Sequence, residues 1–442
     1  MDQSALYDNI AELLRDDTTT ALLREMSAHY VSWDTFAQVH APDGVNPAAA
    51  WTVLKSMSRA LGLEIPIPDH GGTSYWYTRT HELSDAAAKI HCLCRTDSSL
   101  HASLMETHNR RVLVESRLRE TVAAAMLDGL VVDSESARAS LHLDRKPRTP
   151  ADRLLRNTLT TMDQLDHLVD TPFSQSLFET LREMLLSGVN VDELERTQSR
   201  MGVVTREYSD DEVRQHARDQ LRYICDYYNH TTGATHDHVV MRALLLPDVL
   251  HLYRPLADLN SEVGRLAFRL YTLKIGLPVL GWLPLSSAKL TWEDGKLESP
   301  LITMTREQYL RARKHDGPDI TSYTTISVQL ALVALQDLRE KLYRLEQRDK
   351  ELRALLQTDV ELNHRQRSIL GRALRNPQAE FRISHHKATH NIVYATARSD
   401  LLGLVEKGYL DVNMRGREMV FRPQVGLQAR LSEHIGSNIN LR

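Results

Sequence analysis

The fold of the C-terminal part of the chain is decided by residues 362–423, which read LNHRQRSILGRALRNPQAEFRISHHKATHNIVYATARSDLLGLVEKGYLDVNMRGREMVFRP. Asn363 is a favoured N-cap for a helix that carries Ile369 and Leu370 on its apolar face. Asn376-Pro377 ends this helix, because the residue before a proline disfavours helical backbone. A short extended segment, residues 380–383, then leads to a second helix that begins at Ser384.

A third helix is predicted from about Tyr394 to Lys407, after a turn at Asn391. The residues of this helix that face inward are Ala397, Leu401, Leu404 and Val405. Gly408 ends the helix. Two short strands follow, Tyr409–Val412 and Glu418–Phe421, joined by Met414-Arg415-Gly416-Arg417. This order of elements is that of a winged helix-turn-helix.

In such a fold the third helix enters the DNA major groove and the hairpin, or wing, contacts phosphates. The side chains predicted to face the groove are Tyr394, Thr396, Arg398 and Ser399. The predicted phosphate contacts of the wing are Arg415 and Arg417.

Charge supports DNA as the partner of this segment. Residues 361–423 contain eleven Lys/Arg and six Asp/Glu, a local charge of +5, whereas the whole chain carries -4. The remainder of the chain therefore carries about -9, and the basic excess is confined to the C-terminal segment. Winged helices also bind proteins without binding DNA, so a protein partner stays open as an alternative.

A long helix is predicted from about Ile320 to Gln357, before the winged helix. Leucines at an a/d-like spacing form a seam along it: Leu335, Leu338, Leu342, Leu345, Leu352 and Leu356. The seam either packs on its own domain or mediates a homodimer. Sequence alone leaves both interpretations open.

The rest of the composition is typical of a globular protein of the cytoplasm. Hydrophobic residues make up 42% of the 442-residue chain, no run suggests a membrane span, and the acidic N-terminus is no signal peptide. The three cysteines cannot build a disulfide framework. Cys92 and Cys94, with His91, His101 and His108, do not match a zinc-binding spacing. They are interpreted as packing thiols, and no metal or cofactor is predicted.

The N-terminal and central parts of the chain are predicted to be mostly helical. A lead helix covers residues 1–28, and proline and glycine signals predict an irregular stretch from Tyr30 to about Tyr77. Helix resumes near Leu83. Residues from Trp282 to Pro318 are predicted to be turn-rich, with Asp294-Gly295 at a hairpin tip.

A motif in the central region adds a family resemblance. Residues 254–265 read RPLADLNSEVGR, which resembles the Fic signature H-P-F-x-D/E-G-N-G-R-x-x-R in altered form. Further segments resemble one bacterial Fic subfamily with a C-terminal winged helix, in the same order along the chain: YVSWD at 30–34, RKPR at 145–148, HVVMRA at 238–243, LNHRQ at 362–366 and ATARSDL at 395–401.

The resemblance implies AMP transfer to a protein hydroxyl, but this chain departs from the motif at the residues that perform it. Arg254 replaces the histidine that acts as general base, and a guanidinium cannot accept a proton near neutral pH. Leu259 and Ser261 replace the two glycines that let backbone N–H groups approach the phosphates. Glu262 replaces an arginine and is expected to repel a triphosphate.

Other motif positions are kept or changed mildly: Pro255, Leu256 in place of phenylalanine, Asp258 at the acidic position that is a magnesium ligand in the family, Asn260, and the second arginine, Arg265. His251, one helical turn before Arg254, is interpreted as structural rather than as a displaced base. Residues 124–129, AAMLDG, resemble the S/T-x-x-x-E-G inhibitory helix of the family. Asp128-Gly129 is therefore predicted to be a relic of it, with Asp128 facing Arg265.

The sequence therefore predicts a mainly α protein. Its segments are an N-terminal helical region at 1–110, a degenerate Fic-like core with small β-hairpins at 111–318, a long connecting helix at 319–358 and an α+β winged helix-turn-helix at 359–442. The predicted function is binding of double-stranded DNA, typical of a transcriptional regulator, with an inactive core that serves partners, dimerisation or ligand sensing. The alternatives are a nucleotide-binding protein or nucleotidyl transferase with different active-site residues, and an antitoxin-like scaffold.

Overall fold

The computed structural model describes residues 17–40, 46–68, 72–106, 109–130, 146–191, 193–194, 211–230, 236–256, 258–358, 362–376, 378–416, 418–427 and 429–431. The chain forms two compact units, Met1–Glu340 and Lys341–Arg442. Both are mainly helical with small antiparallel sheets, which confirms the predicted fold class.

Helices make up most of the first unit. They are α1 (Asp17–Ala28), α2 (Pro47–Leu61), α3 (His81–Cys94), α4 (Ser99–Met105), α5 (Arg110–Leu127), α6 (Pro150–Gln164), α7 (Gln175–Leu186), α8 (Asp211–Asn229), α9 (His236–Tyr253), α10 (Asn260–Lys274), α11 (Pro278–Trp282), α12 (Leu285–Glu293) and α13 (Arg306–Asp316). Single turns occur at Trp33–Thr35, Phe36–His40 and Leu165–Leu168. Helix α14 (Thr321–Thr358) begins in this unit and continues past its end.

The centre of the first unit is the pair of helices α9 and α10, which flank the motif region. Leu246 and Leu250 of α9 and Leu266 and Leu270 of α10 are fully buried. Gly264 lets the two helices approach closely, because a Cβ at this position would lie 3.0 Å from the Pro247 backbone. The packing of α9 on α10 thus fixes both ends of the loop between them.

The stretch predicted to be irregular, residues 30–77, contains regular structure instead. Asn46 caps α2 and accepts a hydrogen bond from Ala48 N at 2.9 Å, so Asn46-Pro47 starts a helix rather than a turn. Strands β1 (Leu63–Pro68) and β2 (Ser74–Tyr77) then form an antiparallel hairpin. Of the predicted lead helix, residues 1–16 lie outside the described part of the chain, and α1 starts at Asp17.

The region from Trp282 to Pro318 is also more regular than predicted, because it contains α12 and α13. Asp294-Gly295 is not a hairpin tip. Asp294 is the C-cap of α12 and Gly295 has a φ of 70°, the usual left-handed end of a helix. The same residue pair favours both structures, and the predicted hairpin was wrong.

The second unit has the predicted element order. Its elements are α15 (His364–Arg375), β3 (Phe381–Arg382), α16 (Ile383–His390), α17 (Tyr394–Glu406), β4 (Leu410–Arg415) and β5 (Glu418–Pro423). The three strands form one antiparallel sheet in the order β3-β5-β4. Helix α16 starts one residue earlier than predicted, and β4 includes Met414 and Arg415, which the sequence predicts to lie in the turn. Val405, predicted to face inward, is only half-buried.

The leucine seam of α14 packs within the chain. Leu335 and Leu338 are buried in the first unit, and Leu356 belongs to the apolar core of the second unit. These leucines are therefore not open to a second copy of the chain, which favours packing on its own domain for this part of the seam.

Candidate functional site

The motif region forms a short loop between α9 and α10. Asn260 closes it, because its side-chain Oδ1 accepts from Leu256 N and its Nδ2 donates to Leu256 O, both at 2.9 Å. Arg254 and Leu259 lie in the left-handed region, at φ 47° and 52°, where L side chains are disfavoured. The loop thus keeps a glycine-like backbone at Leu259 although the glycine is absent.

Asp258, at the position of the family's magnesium ligand, is held by an arginine. Arg182 of α7 donates from Nε to Oδ1 at 2.5 Å and from Nη2 to Oδ2 at 2.7 Å. Both carboxylate oxygens of Asp258 are therefore engaged in a bidentate ion pair, which a cation would have to displace. No sequence signal had pointed to Arg182.

The predicted contact between Asp128 and Arg265 is confirmed. Arg265 donates from Nη1 to Oδ1 at 3.4 Å and forms a second, shorter contact from Nη2 to Oδ2. The Asp128 and Arg265 side chains are only 11% and 18% exposed. Burial by itself lowers the pKa of Arg265, but Asp128 and Glu262 outweigh this effect and raise it. Asp128 is the C-cap of α5, and Gly129 follows it with a φ of 81°.

Glu262 lies beside this pair and corrects one expectation. Burial, together with the nearby Asp128 carboxylate, raises the pKa of Glu262 to about 8. The Glu262 side chain is therefore mainly neutral near pH 7. The Fic signature has an arginine at this position, so its positive charge is absent here, and the raised pKa weakens the negative charge that was predicted to repel a triphosphate.

A pH-dependent stability follows from Glu262. Because its folded pKa of about 8 lies above its ordinary value of 4.5, its stabilising contribution is complete below about pH 4.5 and is lost as the pH rises through 8. We expect Glu262→Gln to raise the free energy of unfolding of the first unit by at least about 1 kcal/mol at pH 8.5, and by much less at pH 5. Urea unfolding at both pH values measures this. Glu307→Gln, an exposed site on α13, serves as the control, and an equal gain at both pH values would contradict the assignment.

A cavity of about 220 Å³ opens beside the motif loop. Several of its charged lining groups are bound to other protein groups: Lys289 lies 3.1 Å from Asp248, Arg265 pairs with Asp128, and Glu120 accepts from Ser286. Glu293 also lines the cavity. A triphosphate would find the lysine and arginine of this lining already occupied. His251 and Ser261 also line the cavity, and His251 Nδ1 lies 2.7 Å from Ser261 Oγ. Burial lowers the pKa of His251.

In the second unit, the predicted groove-facing residues lie together on the N-terminal half of α17. Tyr394, Arg398 and Ser399 are exposed and Thr396 is half-buried. In the wing, Arg415 is 74% exposed, and its Nη1 lies 4.0 Å from Glu380 Oε2. Arg417 lies outside the described residues.

Asp400 fixes the position of α17 and was missed as a structural residue. The buried carboxylate accepts from Asn363 Nδ2 at 2.8 Å and from Arg365 Nε at 2.7 Å. His386 Nε2 of α16 lies 3.0 Å away, and Gln366 Nε2 donates to the Asp400 carbonyl at 3.1 Å. Burial alone would raise the pKa of Asp400, but the hydrogen bonds from Arg365, His386 and Asn363 lower it to about 2. Helices α15 and α16 thus orient the predicted recognition helix through one carboxylate.

Two exposed residues next to the predicted contacts were also missed. Lys387 of α16 is exposed, and Val393, the N-cap of α17, is 66% exposed. From Phe381 to Ser399 the sequence contains no Asp or Glu. An acid-free run that spans α16 and the start of α17 is a signal that sequence reasoning could have used.

The cysteine and histidine cluster considered for zinc does not form a site in the described residues. Cys92 is exposed and Cys94 is buried, and burial raises the pKa of the Cys94 thiol to about 12. His101 stacks on Trp282 instead, and His108 lies outside the described part. Within the described ranges, no three His, Cys, Asp or Glu side chains are placed to hold a metal ion.

Comparison of the chain with protein-family models finds no match, and no curated protein matches it. The resemblance to the Fic family therefore stays a prediction that rests on the quoted residues. Among the described helices, none is both long enough and apolar enough to span a bilayer.

Proposed function

We propose that the second unit binds double-stranded DNA and that the protein is a transcriptional regulator. The observation that carries this proposal is that α16 and the first half of α17, up to Ser399, contain no Asp or Glu, whereas their Lys387 and Arg398 are exposed. These residues lie on the helix pair that a helix-turn-helix presents to the major groove. The wing adds Arg415 at its edge.

The two arginines are expected to act differently on DNA affinity. Arg415→Ala should weaken binding to all duplexes alike and reduce the slope of log Kd against log salt by about one. Arg398→Ala should change which sequence is preferred, at a cost of about 1–3 kcal/mol for a lost base contact. Fluorescence anisotropy with random and selected duplexes at two salt concentrations measures both effects.

A matched control removes a positive charge elsewhere. Arg311 is exposed on α13 of the first unit and pairs with Asp34, so Arg311→Ala should leave DNA binding unchanged. Equal, negligible affinity of the full chain for every duplex at low salt would contradict DNA binding and favour a protein partner for the winged helix.

We also propose that the core does not transfer AMP. Three features support this: Arg254 stands where a base is needed, Asp258 is engaged by Arg182, and Arg265 is engaged by Asp128. Incubation of the full chain with labelled ATP, Mg²⁺ and a cell lysate is expected to give no label on any protein. Arg254→His alone should not restore transfer. Label transfer that Asp258→Ala abolishes would overturn the proposal.

The 220 Å³ cavity favours ligand sensing as the role of the core over a purely passive scaffold. Its lysine and arginine are engaged by Asp248 and Asp128, and apolar residues such as Leu127 and Phe268 also line it. The cavity is therefore better suited to a small molecule with an apolar part than to a nucleoside triphosphate. A thermal-shift screen that includes nucleotides with Mg²⁺ tests this role. Stabilisation by a nucleotide would support the nucleotide-binding alternative instead.

A further inference from the structure

Two large apolar side chains project from the start of α17. Val393 is 66% exposed and Tyr394 is 55% exposed. Val393 occupies the N-cap position but makes no capping hydrogen bond, since valine is a poor N-cap compared with Ser, Thr, Asp or Asn. Neither burial nor helix capping explains why these two residues are apolar.

The surroundings of this pair define what it can contact. Lys387 precedes it on α16 and Arg398 follows it on α17, and both are exposed. The first carboxylate after them, Asp400, is buried and bound to Arg365 and His386. The surface therefore combines positive charge with apolar side chains, and its partner must offer negative charge next to apolar groups.

The DNA major groove offers this combination where it contains thymine. Phosphates flank the groove, and the C5-methyl group of thymine is the apolar feature that distinguishes this base there. We propose that Val393 and Tyr394 contact thymine methyl groups, so that preferred sites contain thymine opposite the start of α17. This inference rests on the proposed DNA binding.

The experiment removes the methyl groups from the DNA alone. A duplex is first selected from a random pool by the full-length protein. It is then compared with a series of duplexes in which one thymine at a time is replaced by deoxyuridine. Base pairing and phosphates are the same in all of these duplexes. We expect affinity to fall about fourfold at each contacted position, which corresponds to the burial of one methyl-sized group at about 0.8 kcal/mol.

Variants assign the effect to the protein side. Val393→Ser supplies a better N-cap, so the fold should be retained while discrimination between thymine and deoxyuridine is lost at one position. Tyr394→Ser should remove discrimination at a neighbouring position, and Tyr394→Phe, which keeps the ring, should retain it.

The outcomes separate this inference from the proposed function. Tight binding that is insensitive to deoxyuridine would leave DNA binding intact and overturn the thymine contact. Sensitivity that persists unchanged in both serine variants would also overturn it. If no duplex binds, both the DNA-binding proposal and the thymine contact are overturned. The remaining partner for this surface would be a protein surface with acidic and apolar groups.

Discussion

Asp400→Ala is expected to lower the free energy of unfolding of the second unit by about 3 kcal/mol, the lower end of the range for a broken buried ion pair, because it leaves the buried His386 and the half-buried Arg365 without their carboxylate. Arg365, His386 and Asn363 all bind this carboxylate. Domains are stable by only about 5–15 kcal/mol, so the loss should leave the unit marginal. DNA binding should fail with it, since α17 loses its anchor.

Amide hydrogen exchange of α15 and α17 measures this loss directly. All five tryptophans lie in the first unit, so tryptophan fluorescence should not report it. Asp411→Ala is the control, because Asp411 is exposed and its Oδ1 accepts a hydrogen bond from Gln424 at the surface of the same unit. This substitution should lower the free energy of unfolding by at most about 1 kcal/mol. If the free energy of opening that exchange reports for Asp400→Ala lies within about 1 kcal/mol of the wild-type value, the anchoring role is contradicted.

The same carboxylate gives a pH dependence with a defined sign. The pKa of Asp400 in the folded protein, about 2, lies below its ordinary value of 3.8. Its contribution to stability is therefore complete above about pH 4 and is lost as the pH falls toward 2. Exchange measured in wild type and in Asp400→Ala should converge over this acidic range.

Asp128→Ala is expected to destabilise the first unit by about 3 kcal/mol, the lower end of the range for a broken buried ion pair. The lower end applies because Glu262 lies beside Arg265 and raises the pKa of that arginine. Once the Asp128 carboxylate is absent, Glu262 can ionise more readily and compensate part of the loss. Tryptophan fluorescence during urea unfolding measures the change.

Asp163→Ala is the matched control for Asp128. Like Asp128, Asp163 pairs with an arginine, in this case Arg117 of α5. The Asp163 side chain, however, is 66% exposed. A surface pair of this kind contributes at most about 1 kcal/mol. If Asp128→Ala and Asp163→Ala have equal effects, the Asp128–Arg265 contact is not shielded and its stabilising role is refuted.

The winged helix was predictable because its signals are local. Asn363 caps α15 in a capping box with Gln366, Asn391 adopts the left-handed turn and Gly408 ends α17. Each of these residues starts or ends a helix through backbone groups that lie only a few residues away in sequence. The sequence pattern alone therefore locates the helix ends.

The N-terminal part was less predictable because the same residues start and stop structure. Pro47 lies in the first turn of a helix, where its missing N–H costs nothing. Pro66 and Pro68 lie in a strand of a two-stranded sheet, where an edge position tolerates them. Read as turn signals, these prolines concealed α2 and β1.

Contacts between distant segments lie beyond single-sequence reasoning. The Asp128–Arg265 contact was accessible only through the family resemblance, whereas the pair of Arg182 and Asp258 had no signal at all. In the segments LNHRQ and ATARSDL, the sequence predicts a helix cap and groove-facing residues but no contact between the two segments. The structure shows this contact, in which Asn363, Arg365 and Gln366 converge on Asp400.

The left-handed loop between α9 and α10 has a consequence for protein engineering. Arg254 and Leu259 adopt a backbone that costs L residues about 1–2 kcal/mol each, and such residues persist only where their surroundings over-determine the chain path. Here the hydrogen bonds of Asn260 with Leu256 and of Arg182 with Asp258 act as clamps that fix the chain path. Neither clamp uses a side chain of the two strained residues. We therefore expect the clamps to keep the loop path when the half-buried Arg254 is substituted. A glycine at Leu259 would relieve the left-handed backbone, but it would also remove a side chain that is only 6% exposed.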